Sequence, residues 1–186
     1  MKVLIAVLLT VNLFGNVSPD YITTNYYDPS VVISFDAWNS ETLSVKIISS
    51  DYEVIFNDVL EIKAMDGIKY NLKNLSSGKY IIKLENETKL VEETVILFDG
   101  KIVEKDAKVY YKPTISLKGD YINTNFLSYN GEVEIRIFNS TDVLFEDNIK
   151  GAKPFKKVYN VKSLPKGLYT VTISNNKVLR SMTFNR

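Results

Sequence analysis

The chain has 186 residues, no cysteine, no histidine and a formal net charge of +1. Without imidazoles or thiols there is no Ser-His-Asp triad, no cysteine nucleophile, no usual zinc site, no disulfide and no acylated cysteine anchor. The near-neutral charge, with no basic run longer than Lys156–Lys157, speaks against nucleic acid as a partner.

The N-terminus reads "MKVLIAVLLTVNLFGNVSPD". Lys2 is followed by an apolar run to Phe14 that is too short to span a bilayer comfortably and stops at Gly15 and Pro19. It predicts a signal peptide over residues 1–18, cleaved between Asn16 and Asp20, with no membrane span after leader cleavage. A buried strand or a short membrane anchor is the competing reading of the same run.

Along the rest of the chain, four blocks recur in the same order. "YYDPS" at residues 26–30 returns as "YYKPT" at 110–114, and "FDAWN" at 35–39 as "FLSYN" at 126–130. "LSVKIISSD" at 43–51 returns as "VEIRIFNST" at 133–141, and "YNLKNLSSGKYIIKLEN" at 70–86 as "YNVKSLPKGLYTVTISN" at 159–175. Between its first two blocks the second copy has about seven more residues, which predicts a strand gained or lost there. Within each copy the period is two. Leu43, Val45 and Ile47 alternate with Ser44 and Lys46, and Tyr80, Ile82 and Leu84 with Lys79, Lys83 and Glu85. Val133, Ile135 and Ile137 alternate with Glu134 and Arg136, and Tyr169, Val171 and Ile173 with Thr170 and Thr172. Such alternation marks strands with one face in a core and one in water. After the leader no stretch shows helical periodicity. The expected fold is all-β: two tandem antiparallel immunoglobulin- or fibronectin-like sandwiches after a signal peptide, at residues 20–98 and 113–186. Residues 99–112 form a linker or an extra hairpin, with a turn at Asp99–Gly100.

Each copy carries Leu-x-x-Gly-x-Tyr, at Leu75, Gly78 and Tyr80 and at Leu164, Gly167 and Tyr169. In immunoglobulin-like sandwiches a tyrosine near the start of the sixth strand returns its hydroxyl to the preceding corner. The leucine is then expected to plug the end of the core, and the glycine to permit a sharp entry, with a positive φ where one is needed. The motif therefore reads as a structural corner.

The stretch from "GEVEIRIFN" through "SLPKGLYTVTI" to "VLRSMTF" resembles the C-terminal sorting domains of proteins exported by the Bacteroidetes type IX secretion system. The chain is also similar to small secreted Bacteroidetes proteins with an immunoglobulin-like domain. The resemblance implies an exported protein, located in the periplasm, at the cell surface or outside the cell, and secretion machinery as a possible partner.

For chemistry, the paired carboxylates Glu92–Glu93, Asp51 with Glu53, Glu85 with Glu87, and Glu146–Asp147 remain as routes to acid/base work. Their places between lysines on strands or turns read as solvated surface. "NSTDVLFEDN" lacks the spacing and glycine of a calcium loop, and no glycine-rich phosphate loop is present. No catalytic residue, metal ligand or cofactor site is expected. Asn74-Leu-Ser, Asn86-Glu-Thr and Asn139-Ser-Thr match the glycosylation sequon incidentally. Tyr26, Tyr27, Tyr110 and Tyr111 form a candidate contact patch for a protein or glycan, each pair expected to sit on a strand with one ring inward and one outward. Trp38, matched by Tyr129 in the other copy, is expected at a strand end. Together these readings suggest a non-enzymatic exported binding, adhesion or envelope-structural protein. The alternative is a type IX secretion cargo whose C-terminal sandwich acts as the sorting domain.

Overall fold

The computed structural model describes residues 6–8, 21–63, 65–126, 132–150, 155–175 and 177–186. The chain divides into two compact units, Met1–Val109 and Tyr110–Arg186.

The first unit opens with the short strand β1 (Ala6–Leu8), which lies within the leader-like run, followed by β2 (Ile22–Asn25) and β3 (Ser30–Ser34). Next come β4 (Thr42–Ser49), β5 (Val54–Glu61) and β6 (Gly67–Asn71). It closes with β7 (Gly78–Glu85), β8 (Lys89–Phe98) and β9 (Lys101–Tyr111), the unit boundary falling inside β9. One sheet has the order β1-β6-β3-β2 and the other β5-β4-β7-β8-β9.

The second unit has β10 (Thr114–Lys118), β11 (Tyr121–Phe126), β12 (Val133–Phe138) and β13 (Val143–Ile149). It continues with β14 (Phe155–Asn160), β15 (Leu168–Ser174) and β16 (Leu179–Asn185). Its sheets are β10-β11-β14 and β13-β12-β15-β16. Strip β1 and β9 from the first unit and the two orders are the same. Three strands face four with the connections of a fibronectin-like sandwich, so the all-β tandem expected from the sequence holds. Both units also carry a register shift at the matching point, between Ile47 and Ile48 and between Ile137 and Phe138.

The alternating positions build the cores. Leu43, Val45, Ile47, Ile82 and Leu84 are fully buried in the first unit, as are Val133, Ile135, Val171 and Ile173 in the second. Burial of each such side chain contributes roughly 1.5–3 kcal/mol. Asp99 and Gly100, with φ of 48° and 67°, form the tight turn that folds β9 back along β8. β9 then delivers Ile102 to the first core.

The strand order corrects one part of the repeat. Tyr26 and Tyr27 lie in the turn between β2 and β3, whereas Tyr110 and Tyr111 end β9, before β10. The Tyr-Tyr-Pro blocks therefore match in letters but not in place. Neither copy has lost a strand at this point: β2 and β10 are counterparts, one before its Tyr-Tyr-Pro block and the other after it.

In the second unit Asp147 and Lys157 bridge the facing edge strands, Nζ to Oδ2 at 2.6 Å, and the Tyr159 hydroxyl donates to the same oxygen at 3.1 Å. The Lys157 hydrogen bond holds the Asp147 carboxyl below its ordinary pKa, while burial and then Asp147 push Tyr159 up. A carboxyl lowered in the folded state stabilises above its unfolded pKa and loses that contribution as pH falls through the folded value. The thermal midpoint of the second unit should therefore drop below about pH 4, and Asp147→Asn should lower the midpoint at neutral pH and flatten this profile.

Gly67 faces Ser34 across β6 and β3, and a Cβ there would lie 2.6 Å from the Ile33 carbonyl oxygen. Gly67→Ala should cost about 1–3 kcal/mol in urea unfolding of the first unit. At Gly167 an added Cβ would meet only the Tyr169 ring, from 3.7 Å, and alanine should be tolerated.

Candidate functional site

The two corner motifs occupy the same place in each unit, just before and within the first residues of β7 and β15. The Tyr80 hydroxyl donates to the Ser76 carbonyl at 2.8 Å, and the Tyr169 hydroxyl to the Pro165 carbonyl at 2.9 Å. Both rings are buried, and burial raises the Tyr80 pKa. Leu75 is buried, and its amide donates to the Leu72 carbonyl at 2.9 Å; the Leu164 amide donates to Val161 at 3.1 Å. The two glycines differ: Gly78 has the positive φ expected of it, at 157°, a backbone that side chains with a Cβ rarely adopt, whereas Gly167 has none. Each also leaves room beside the tyrosine ring.

The four tyrosines of the candidate patch are less uniform. Tyr26 and Tyr27 are exposed on a turn, at 43% and 89%, so neither ring of that pair points into the core. A turn does not alternate faces as a strand does. Tyr110 is half-buried with the Lys177 ammonium 5.4 Å from its ring centre, and Tyr111 is exposed. Beside Tyr27, Asp28 takes Lys69 at 3.2 Å and Lys73 at 2.7 Å, and their hydrogen bonds, that of Lys73 first, hold its carboxyl below the ordinary value.

At the opposite end of the first sandwich, the β3–β4 and β5–β6 connections enclose a cleft of about 800 Å³. Asp36, Asn39, Glu41, Lys63 and Asp66 supply its polar lining, and Phe35, Trp38 and Met65 its apolar lining. Backbone bonds tie the two connections together: Phe35 N–H to the Asp66 carbonyl at 3.0 Å, and Ile62 N–H to the Glu41 carbonyl at 2.9 Å. Glu41 is also paired with Lys63 at 2.6 Å.

Next to the cleft stands a buried lysine that sequence reasoning missed. The Lys89 ammonium lies 4.3 Å from the Tyr21 ring centre and 4.6 Å from that of Trp38, with the two rings edge to face at 5.4 Å. It donates to the Tyr21 hydroxyl and to the Ala37 carbonyl. Rings and oxygens here stand in for the water that burial removes. Trp38 is thus in the core wall, in the loop after β3 rather than at a strand end; Tyr129 lies outside the described residues.

The carboxylate pairs do not converge on the cleft. Glu92 pairs with Lys83 at 2.8 Å and Glu146 with Arg136 at 3.1 Å, while Asp51, Glu53, Glu85 and Glu87 are exposed. Glu93 corrects the surface reading: only 2% is exposed, on the inward face of β8 with Val91 and Val95. The period of two held the signal, since Lys89, Val91, Glu93, Val95 and Leu97 share one parity. Two sequon asparagines hold turns, Asn86 accepting from the Thr88 and Lys89 amides and Asn139 from those of Thr141 and Asp142. Among the described residues no group of three or more Asp or Glu could hold a metal ion, and no helix is long and apolar enough to cross a membrane.

Residues 28–97 match the family of secretion system C-terminal sorting domains. The sorting-type match runs from the β2–β3 turn nearly to the end of β8, and so falls on the first sandwich, whereas the stretches quoted above for the resemblance lie in the second. A sorting domain of this kind marks an exported protein. No curated protein matches the chain. Among solved structures, a biofilm-associated protein BSP domain aligns at TM-score 0.28 and 16% identity over 85% of this chain and 27% of that one. The chicken CNTN1 FN1-FN3 domains align at 0.29 and 10% over 91% of this chain and 64% of that one. The amphioxus IgVJ-C2 molecule aligns at 0.19 and 12% over 88% and 98%. The chain thus spans about a quarter of the first of these and under two thirds of the second. At such scores the fold rests on the strand order.

The corner bonds give a test. Tyr80→Phe and Tyr169→Phe should each destabilise their own unit by about 0.5–1.5 kcal/mol, because a part-buried hydrogen bond is lost while its carbonyl, on an exposed residue, can turn to water. Denaturant unfolding of each variant measures this.

Proposed function

We propose that the chain is a non-enzymatic exported protein, carried as cargo by a type IX secretion machinery that reads the surface of its first sandwich. The observation that carries this reading is the match over residues 28–97, which takes in six of the strands of one sandwich, from β3 to β8. The earlier alternative gave the sorting role to the C-terminal sandwich; the position of the match favours the first. The second sandwich then serves as the binding or envelope-structural module at the destination, in the periplasm, at the cell surface or outside the cell.

The leader-like run fits this route. Its removal between Asn16 and Asp20 would take away β1 and uncover the edge of β6, with which β1 pairs from Ala6–Tyr70 to Leu8–Ile68. The cleft of the first unit supports binding better than acid/base catalysis: one of its carboxylates is already paired with Lys63, and the pairs singled out in the sequence lie elsewhere.

The full chain should be accessible to protease outside cells that have the secretion machinery, and retained in otherwise identical cells that lack it. The exported chain should begin between Asn16 and Asp20 by N-terminal sequencing. Deleting residues 20–98 should abolish export while deleting 113–186 leaves it. Equal distribution in both cell types, or a mature chain that keeps Met1, contradicts the proposal.

A further inference from the structure

The two units differ at their sheet edges. In the first, the outer side of β8 is bonded by β9; in the second, the counterpart strand β16 ends its sheet, with β10 of the facing sheet close by but no strand hydrogen-bonded to its outer side among the described residues. One leucine registers the difference. Leu90 opposes Glu85 of β7 and is 6% exposed, while Leu179 opposes Ser174 of β15 at the same place and is 63% exposed.

The other edges of the second unit are guarded in ways that proteins use against strand addition. β10 has only five residues. β13 carries the register shift against β12, and its Asp147 reaches across to Lys157 of β14, so both of these edges hold a charge between the sheets. On the β16 side the charge pair, Arg186 with Asp120 at 3.0 Å, lies just beyond the strand's last residue, so the strand itself is less guarded. It pairs with β15 over seven residues without a shift, contains no proline, and has one charged residue, Arg180.

We propose that the free edge of β16 pairs with β16 of a second copy, antiparallel about a two-fold axis at Met182, joining two four-stranded sheets into one. The amide directions fit. Gly167 and Arg186 exchange both backbone bonds, at 3.2 and 2.9 Å. By the antiparallel alternation, residues 184, 182 and 180 then bond toward β15, and residues 179, 181, 183 and 185 present amides and carbonyls to the open side. Pairing about Met182 sets Ser181 opposite Thr183 of the second copy, so the outward groups meet as bonded pairs. Arg180 falls opposite Phe184 of the second copy, so no like charges oppose each other. Such an interface is isologous and closes on itself.

Sedimentation equilibrium of the full chain tests this. The parent chain should have twice the chain mass, and Ser181→Pro should be monomeric at the same concentration. Its thermal midpoint should be little changed, because the amide it loses faces the open edge. Ser181→Lys, which charges the edge without altering the backbone, should also weaken association. Since the chain has no cysteine, Met182→Cys should form an intermolecular disulfide on mild oxidation, the two positions meeting on the axis. A parent chain that is monomeric at every concentration, or a dimer that neither Ser181 variant weakens and Met182→Cys does not cross-link, overturns the proposal.

Discussion

Each sandwich turns on one hydroxyl. A tyrosine near the start of the central strand of the larger sheet reaches back to the carbonyl four residues upstream, and so sets where that strand begins. The strand it starts, β7 or β15, is bonded on both sides, to β4 and β8 or to β12 and β16. A slip of one residue there would turn every inward side chain outward. Ile82 and Leu84, or Val171 and Ile173, would then lose their core, and the register of both neighbours would follow. The corner is thus a local contact with a consequence for the whole sheet.

The sandwiches spend their polar groups differently around this shared frame. The first takes charge inside: Lys89 lies against Tyr21 and Trp38, and Glu93 sits on the inward face of β8. The second instead places charge at its β13–β14 edge, where Asp147 and Lys157 bridge the two sheets. The counterpart rings show the result. Tyr70 is fully buried against Phe56 at 5.0 Å, whereas Tyr159 is half-buried against Phe145 at 5.1 Å, and Phe145 is 40% exposed. The first unit is the more closed body and also the one that matches the sorting family; the second leaves more apolar edge in water.

The fold class was legible because a half-buried strand leaves period-two alternation in the letters, and Leu43-Val45-Ile47 and Val133-Ile135-Ile137 show it without interruption. Less was legible where letters and topology part. The Tyr-Tyr-Pro blocks look like counterparts, but one is a hairpin turn and the other the end of a strand, a distinction set by pairing with distant segments. Glu93 was read as surface by residue type, although its parity with Val91 and Val95 placed it inside. Lys89 could not be found from its own neighbours, since Tyr21 and Trp38 are brought to it by folding. The cleft is hidden for the same reason, its two walls being more than 20 residues apart in the chain.

Both sandwiches depend most on the two hydroxyl bonds, and solution NMR at the phenolic protons observes them directly. The hydroxyl protons of Tyr80 and Tyr169 should exchange slowly with water and give NOEs to residues 76–77 and 165–166 respectively, while exposed Tyr27 gives no such resonance. If both hydroxyl protons instead exchange as fast as that of Tyr27, with no contact to those residues, the corners do not set the strands and the account fails.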